Sequence, residues 1–191
     1  MSFSLTFEDQ QALLKIARQT LEAYLQTGQR SALKSNLPHL QIPVGAFVTL
    51  HRRDRLRGCI GHVMSSHPLY ETVQEVALAA ATEDSRFEPV RKEELSEIEI
   101  EISVLSPFEK IKKVEEVEVG KHGLLLTRGH HRGLLLPQVA TEQGWDRDTF
   151  LTHTCLKAGL PPEAWKDPRT IIEIFSAQVF GENLLDNVIQ K

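Results

Sequence analysis

At 191 residues, with 41% hydrophobic and 25% charged side chains, the chain can bury a core without a disulfide or metal staple, and fits one domain or two small ones. Its net charge of −4 argues against a general nucleic-acid binder, its apolar runs fall far short of a membrane span of about 20 residues, and its start lacks a signal-peptide pattern. The two cysteines, Cys59 and Cys155, sit in dissimilar contexts, so no disulfide framework is expected and a cytoplasmic, reducing location is.

Thr6, with Asp9 three residues on, predicts a capped helix beginning at Phe7. Leu13, Leu14, Ala17, Leu21, Tyr24 and Leu25 recur at helical spacing, and Gly28 is a natural stop. A polar connection over 29–43 leads to a strand over Val44–Leu50. Arg52–Arg55 reads as a turn and Leu56–Gly61 as the returning strand of a hairpin. Arg52, Arg53, Arg55 and Arg57 cluster here, but Asp54 interrupts them, so a solvated turn is preferred to a phosphate-binding patch. Pro68 opens a second helix whose apolar face is Leu69, Val73, Val76, Ala77 and Ala80. Its alanines at 77 and 79–81 predict close packing against another element. The helix is expected to end at Thr82–Ser85, with Arg86–Pro89 an ordered loop.

Strict alternation over Glu97–Val104 predicts a half-buried strand, and residues 97–105 are expected to form a central or sub-central one, isoleucines inward and glutamates toward solvent. Strands follow at 108–112, 123–128 and 133–136, the last two joined by a turn that exposes His130 and His131. Helical segments are expected at Pro137–Gln143, from Asp146 as N-cap to Gly159, and from Pro161 through Trp165. Cys155, alongside Leu151, is placed in the core. A final strand over Thr170–Phe180 precedes a polar tail over 181–191. Strands and helices intermix without βαβ alternation, which predicts an α+β fold with mainly antiparallel sheet.

The most informative segment is Leu56-Arg57-Gly58-Cys59-Ile60-Gly61. Simple strand alternation puts Arg57 and Cys59 on one face, and Leu56 and Ile60, buried, on the other. Glycines inside a strand mark places of close approach, so Gly58 and Gly61 are read as leaving room for a substrate. A neighbouring arginine would raise the thiolate fraction of Cys59. Three readings stay open: a small buried hydrophobe, a thiolate nucleophile needing a histidine base, and a metal ligand with His62 at C-x-x-H spacing. The last lacks a second ligand pair. His51 and His62 flank the hairpin, and His122 lies at a loop-to-strand entry where functional groups concentrate. Glu83-Asp84-Ser85-Arg86 offers either local capping or a carboxylate and guanidinium at a pocket rim.

Taken together, LRGCIG at 56–61, AATEDSRF at 80–87, EIEIEISVL at 97–105, VGKHGLLL at 119–126, RGLLLPQVATEQGWD at 132–146, TCLKAGLPPEAW at 154–165 and VFGE at 179–182 resemble the AMMECR-one family. The resemblance covers residues 5–182 as a single domain of two intertwined lobes, with a tail over 183–191. It implies a two-lobed α+β fold of mainly antiparallel sheets flanked by helices, with an inter-lobe cleft to which LRGCIG contributes. The short length is similar to the bacterial form, which implies a Memo-like protein and a radical SAM protein as partners. The residue after LRGCIG varies in type within the family, so His62 is not expected to be essential.

Two functions compete. In the first, Cys59 is a catalytic thiolate tuned by Arg57, His122 moves protons, and Gly58, Gly61, Glu83, Asp84 and Arg86 bind a small-molecule or peptide substrate. In the second, the chain is a non-catalytic partner that presents substrate to, or assembles with, the Memo-like and radical SAM proteins. No cofactor, metal, nucleic acid or membrane is called for by either.

Overall fold

Thr6 accepts the Asp9 N–H and Asp9 accepts the Thr6 N–H, a capping box that opens helix α1 (Phe7–Thr27). Gly28 closes the helix at a φ of 74°, where a β-carbon would be strained. The computed structural model describes residues 3–30 and 32–183. By its contacts the chain divides into two units: residues up to Leu105 together with those from Gln178 on, and Ser106–Ala177.

In the first unit, β1 (Ala46–Arg52) and β2 (Arg55–His62) form the expected hairpin. Its tip is Arg53 and Asp54, both at positive φ, the backbone twist that suits a two-residue hairpin. Helix α2 (Leu69–Thr82) follows, and then β3 (Ile98–Leu105). With β8 (Ala177–Gly181) the sheet order is β2-β1-β3-β8, and β1 runs antiparallel to both neighbours. Alternation decides the faces: Ala46, Val48 and Leu50 of β1 and Ile98, Ile100, Ile102 and Val104 of β3 are buried, and α1 and α2 pack with them in one core. Glu99 and Glu101 stay half-buried on the other face. The alanines of α2 meet Gly58: a β-carbon there would run into the Ala80 carbonyl oxygen.

The second unit holds β4 (Glu109–Lys110), β5 (Gly123–Arg128), β6 (His131–Leu135), α3 (Pro137–Glu142), α4 (Arg147–Lys157, capped by Asp146) and β7 (Ile171–Phe175). Its sheet order is β4-β7-β5-β6, with every pair antiparallel. Leu124, Leu126, Phe150, Leu151 and Cys155 form its core, Cys155 fully enclosed as expected.

Two expectations change. The last strand is not continuous: Ser176 breaks it into β7 and β8, which join different sheets. Ser106 explains the break, for its N–H donates to the Ser176 carbonyl at 2.8 Å while its hydroxyl accepts the Ser176 N–H at 2.9 Å. Nor does the tail begin at 181. Gly181 lies in β8, and Glu182 accepts two bonds from Arg18 and one from the Ile100 N–H; residues 184–191 lie outside the described residues. Among the described residues no helix is long and apolar enough to cross a membrane.

Candidate functional site

The hairpin register carries a β-bulge that re-aims the whole LRGCIG segment. Thr49 faces Cys59 and Leu50 faces Gly58, but His51 faces Leu56, leaving Arg57 without a cross-strand partner. Alternation therefore slips by one between Gly58 and Leu56. Leu56 joins Cys59 on the face away from the helices and is 39% exposed, not buried. Ile60 is half-buried against the first core.

The same bulge separates Arg57 from the thiol. Its guanidinium forms a bidentate pair with Glu94 (2.9 and 2.9 Å) and also donates to the Glu88 and Pro89 carbonyls. Arg52 adds a bond to Glu94 at 3.0 Å. Arg57, foremost, holds the Glu94 carboxyl down at about 2 against the cost of burying it. Arg57 thus staples the segment over 92–97 to the hairpin instead of tuning a sulfur.

The groups that do gather at Cys59 are Asp84 and Arg86. Asp84, 7% exposed just past the end of α2, accepts the Cys59 N–H at 2.8 Å. Arg86 clasps Asp84 through Nε (2.9 Å) and Nη2 (2.7 Å), and Nη2 also donates to the Cys59 carbonyl at 3.4 Å. The ion pair thereby occupies both backbone groups of Cys59 on β2, the edge strand of its sheet. Arg86 above all, with the Cys59 and Arg86 N–H groups, drives the Asp84 carboxyl well below the usual range despite its burial. The half-buried Cys59 thiol accepts the Thr49 hydroxyl at 3.3 Å.

The two glycines are spoken for. Ala80 fills the space beside Gly58, and the Phe47 ring lies over its cross-strand partner Gly61. The room read as space for a substrate is occupied by the protein itself. Glu83 is exposed, and its N–H closes the last turn of α2 on Ala79. His122 belongs to the second unit, where its Nδ1 accepts the Glu118 N–H at 3.1 Å. His62 meets Glu75 at 3.2 Å and stands on the opposite strand face from Cys59, so the C-x-x-H spacing does not converge. Among the described residues no group of three or more metal-ligating side chains assembles. Thr49 and Glu94 were absent from the sequence expectations. An unbulged hairpin turning at Arg53-Asp54 would pair Thr49 with Gly58, so only the bulge brings Thr49 to the thiol.

The chain is 45% identical over 191 residues to Protein MK0488 of Methanopyrus kandleri, covering 95% of this chain and 92% of that one. Against Protein PF1979 of Pyrococcus furiosus the identity is 42%, over 89% and 86% of the two chains. The crystal structure of uncharacterized protein PH0010 from Pyrococcus horikoshii superposes with a TM-score of 0.77 at 39% identity, covering 95% of each chain. The AMMECR1 family profile matches residues 14–180. With most of its length matched and its α+β fold shared with a solved relative, the chain belongs to the AMMECR1 family.

Proposed function

We propose that this AMMECR1-family chain acts as a non-catalytic assembly partner, presenting the Leu56–Gly61 strand to Memo-like and radical SAM proteins. The observation that carries this reading is the Asp84–Arg86 clasp on the Cys59 backbone. The clasp commits the nearest carboxylate and guanidinium to holding the strand edge in shape. A thiol nucleophile needs a positioned base, and the hydrogen-bond partner of this thiol is a threonine hydroxyl. Leu56 is exposed on the same face, and a partner seated there would remove its apolar surface from water.

Co-purification with the Memo-like and radical SAM proteins tests this. Leu56→Asp is expected to weaken the association, while Cys59→Ser preserves both the association and the role in the cell. Loss of cellular function in Cys59→Ser with the complex intact would overturn the reading in favour of thiol chemistry. One observation favours that second reading: the Arg86 guanidinium reaches the backbone of the thiol-bearing residue, its Nη2 3.4 Å from the Cys59 carbonyl.

A further inference from the structure

Among the described residues, β2 has β1 on one side and no strand on the other. Along an antiparallel edge, every second residue turns its N–H and C=O outward. Cys59, opposite Thr49, is such a residue: its N–H donates to Asp84 at 2.8 Å and its C=O accepts from Arg86 at 3.4 Å. One acceptor and one donor at a single residue is what a neighbouring strand supplies. Gly61, opposite Phe47, has the same orientation, about 6.8 Å further along the strand. Among the described residues its N–H and C=O have no hydrogen-bond partner. The edge is therefore capped at one residue and open at the next.

The cap can leave as a unit. Asp84 accepts four bonds, and three come from Arg86: its N–H (3.1 Å), Nε (2.9 Å) and Nη2 (2.7 Å). Turning away from the strand, the pair gives up only the Cys59 N–H and C=O, and no carboxylate is left bare. The Arg86 side chain is 56% exposed, so its guanidinium has solvent to move into.

We propose that the β2 edge is a strand-pairing site with the Asp84–Arg86 clasp as its removable cap, and that an extended segment of another polypeptide replaces the clasp, backbone to backbone, at Cys59 and Gly61. On the assembly reading, on which this rests, that segment belongs to the Memo-like or radical SAM protein. A carboxylate or an ammonium ion matches one kind of backbone group; an extended chain offers both kinds at the strand repeat. Main-chain hydrogen bonds supply the grip in this mode of recognition, and side chains beside the edge, here the exposed Leu56, supply selectivity.

Amide hydrogen exchange in the full chain, read by proton–nitrogen correlation, tests this at three residues. In the free chain Cys59 is expected to exchange slowly and Gly61 fast, with Ile60, whose N–H faces β1, slow throughout. Asp84→Ala/Arg86→Ala should speed Cys59 about tenfold or more, the scale of losing a bond to a charged group, and leave Ile60 unchanged. In the complex with the Memo-like and radical SAM proteins, Cys59 and Gly61 should both be slow, in wild type and double variant alike. The double variant should also co-purify more tightly, because it has no cap to displace. A complex that forms while Gly61 stays fast overturns the proposal and leaves the assembly reading standing. No complex in either form overturns the assembly reading, and this edge pairing with it. Gly61 protection that rises with the concentration of the chain alone assigns the edge to a second copy and overturns the other polypeptide as occupant. Should Ile60 become fast, the variant has unfolded, and Gly61 in the wild-type complex decides alone.

Discussion

Cys59 and Cys155 have the same side chain and opposite surroundings. Cys155 is fully enclosed, and burial pushes its thiol up. Cys59 is half-buried at a sheet edge with Arg86 beside its carbonyl. Iodoacetamide at neutral pH is therefore expected to label Cys59 well before Cys155, read by peptide mass spectrometry. Arg86→Ala should slow that labelling, whereas Arg57→Ala should leave it unchanged, because Glu94 holds Arg57. Equal slowing by both variants would put Arg57 back beside the sulfur. Gly58 makes a second residue-scale case. Gly58→Ala drives a β-carbon into the α2 backbone at Ala80, which has no flexible end to swing aside. Overpacking of this kind costs about 1–3 kcal/mol, measurable as a lowered denaturation midpoint.

At the scale of elements, β3 is the clearest case of pattern becoming structure. Ile100 is 1% exposed in the middle of a strand flanked by β1 and β8. Ile100→Ala should cost about 2–5 kcal/mol in urea melts, and a loss of a few tenths would place the strand outside the core. The segment over 92–97 is tied to the hairpin through Glu94, whose carboxyl lies at about 2, below its ordinary 4.5. A depressed carboxylate contributes stability in full above its ordinary value and loses it as pH falls toward the folded value. The wild-type chain should therefore lose stability between about pH 4.5 and 2. Glu94→Gln should be weaker at neutral pH and lose less over that window. Elements with a local signal were legible in the residues: the Thr6–Asp9 box, Gly28, the Asp146 cap and the alternation at 98–104. The bulge at Arg57 was not, because Gly58 beside it packs against a helix that begins eleven residues later, a contact no local pattern announces. Read without the bulge, Leu56 and Arg57 fall on the wrong sides relative to Cys59, and that one slip misassigned the partners of the thiol. Ser176 was likewise hidden, since strand-forming residues continue on both sides of it.

For the whole molecule, the decisive feature is that β8 returns to a sheet whose other three strands precede residue 106. The second unit, by contrast, is one uninterrupted stretch, Ser106–Ala177. During synthesis from the N-terminus, the second unit has all its residues before the first can complete its sheet. Over that interval β3 has β1 on one side and no partner on the other. Its isoleucines can already settle against α1 and α2, but its outer backbone groups stay open to any passing strand. Glu99 and Glu101 put negative charge on the face of that waiting strand, where a copy from another chain would bring the same charges against them. The alternating glutamates thus set like charge against a second copy of the strand at the edge that waits for β8.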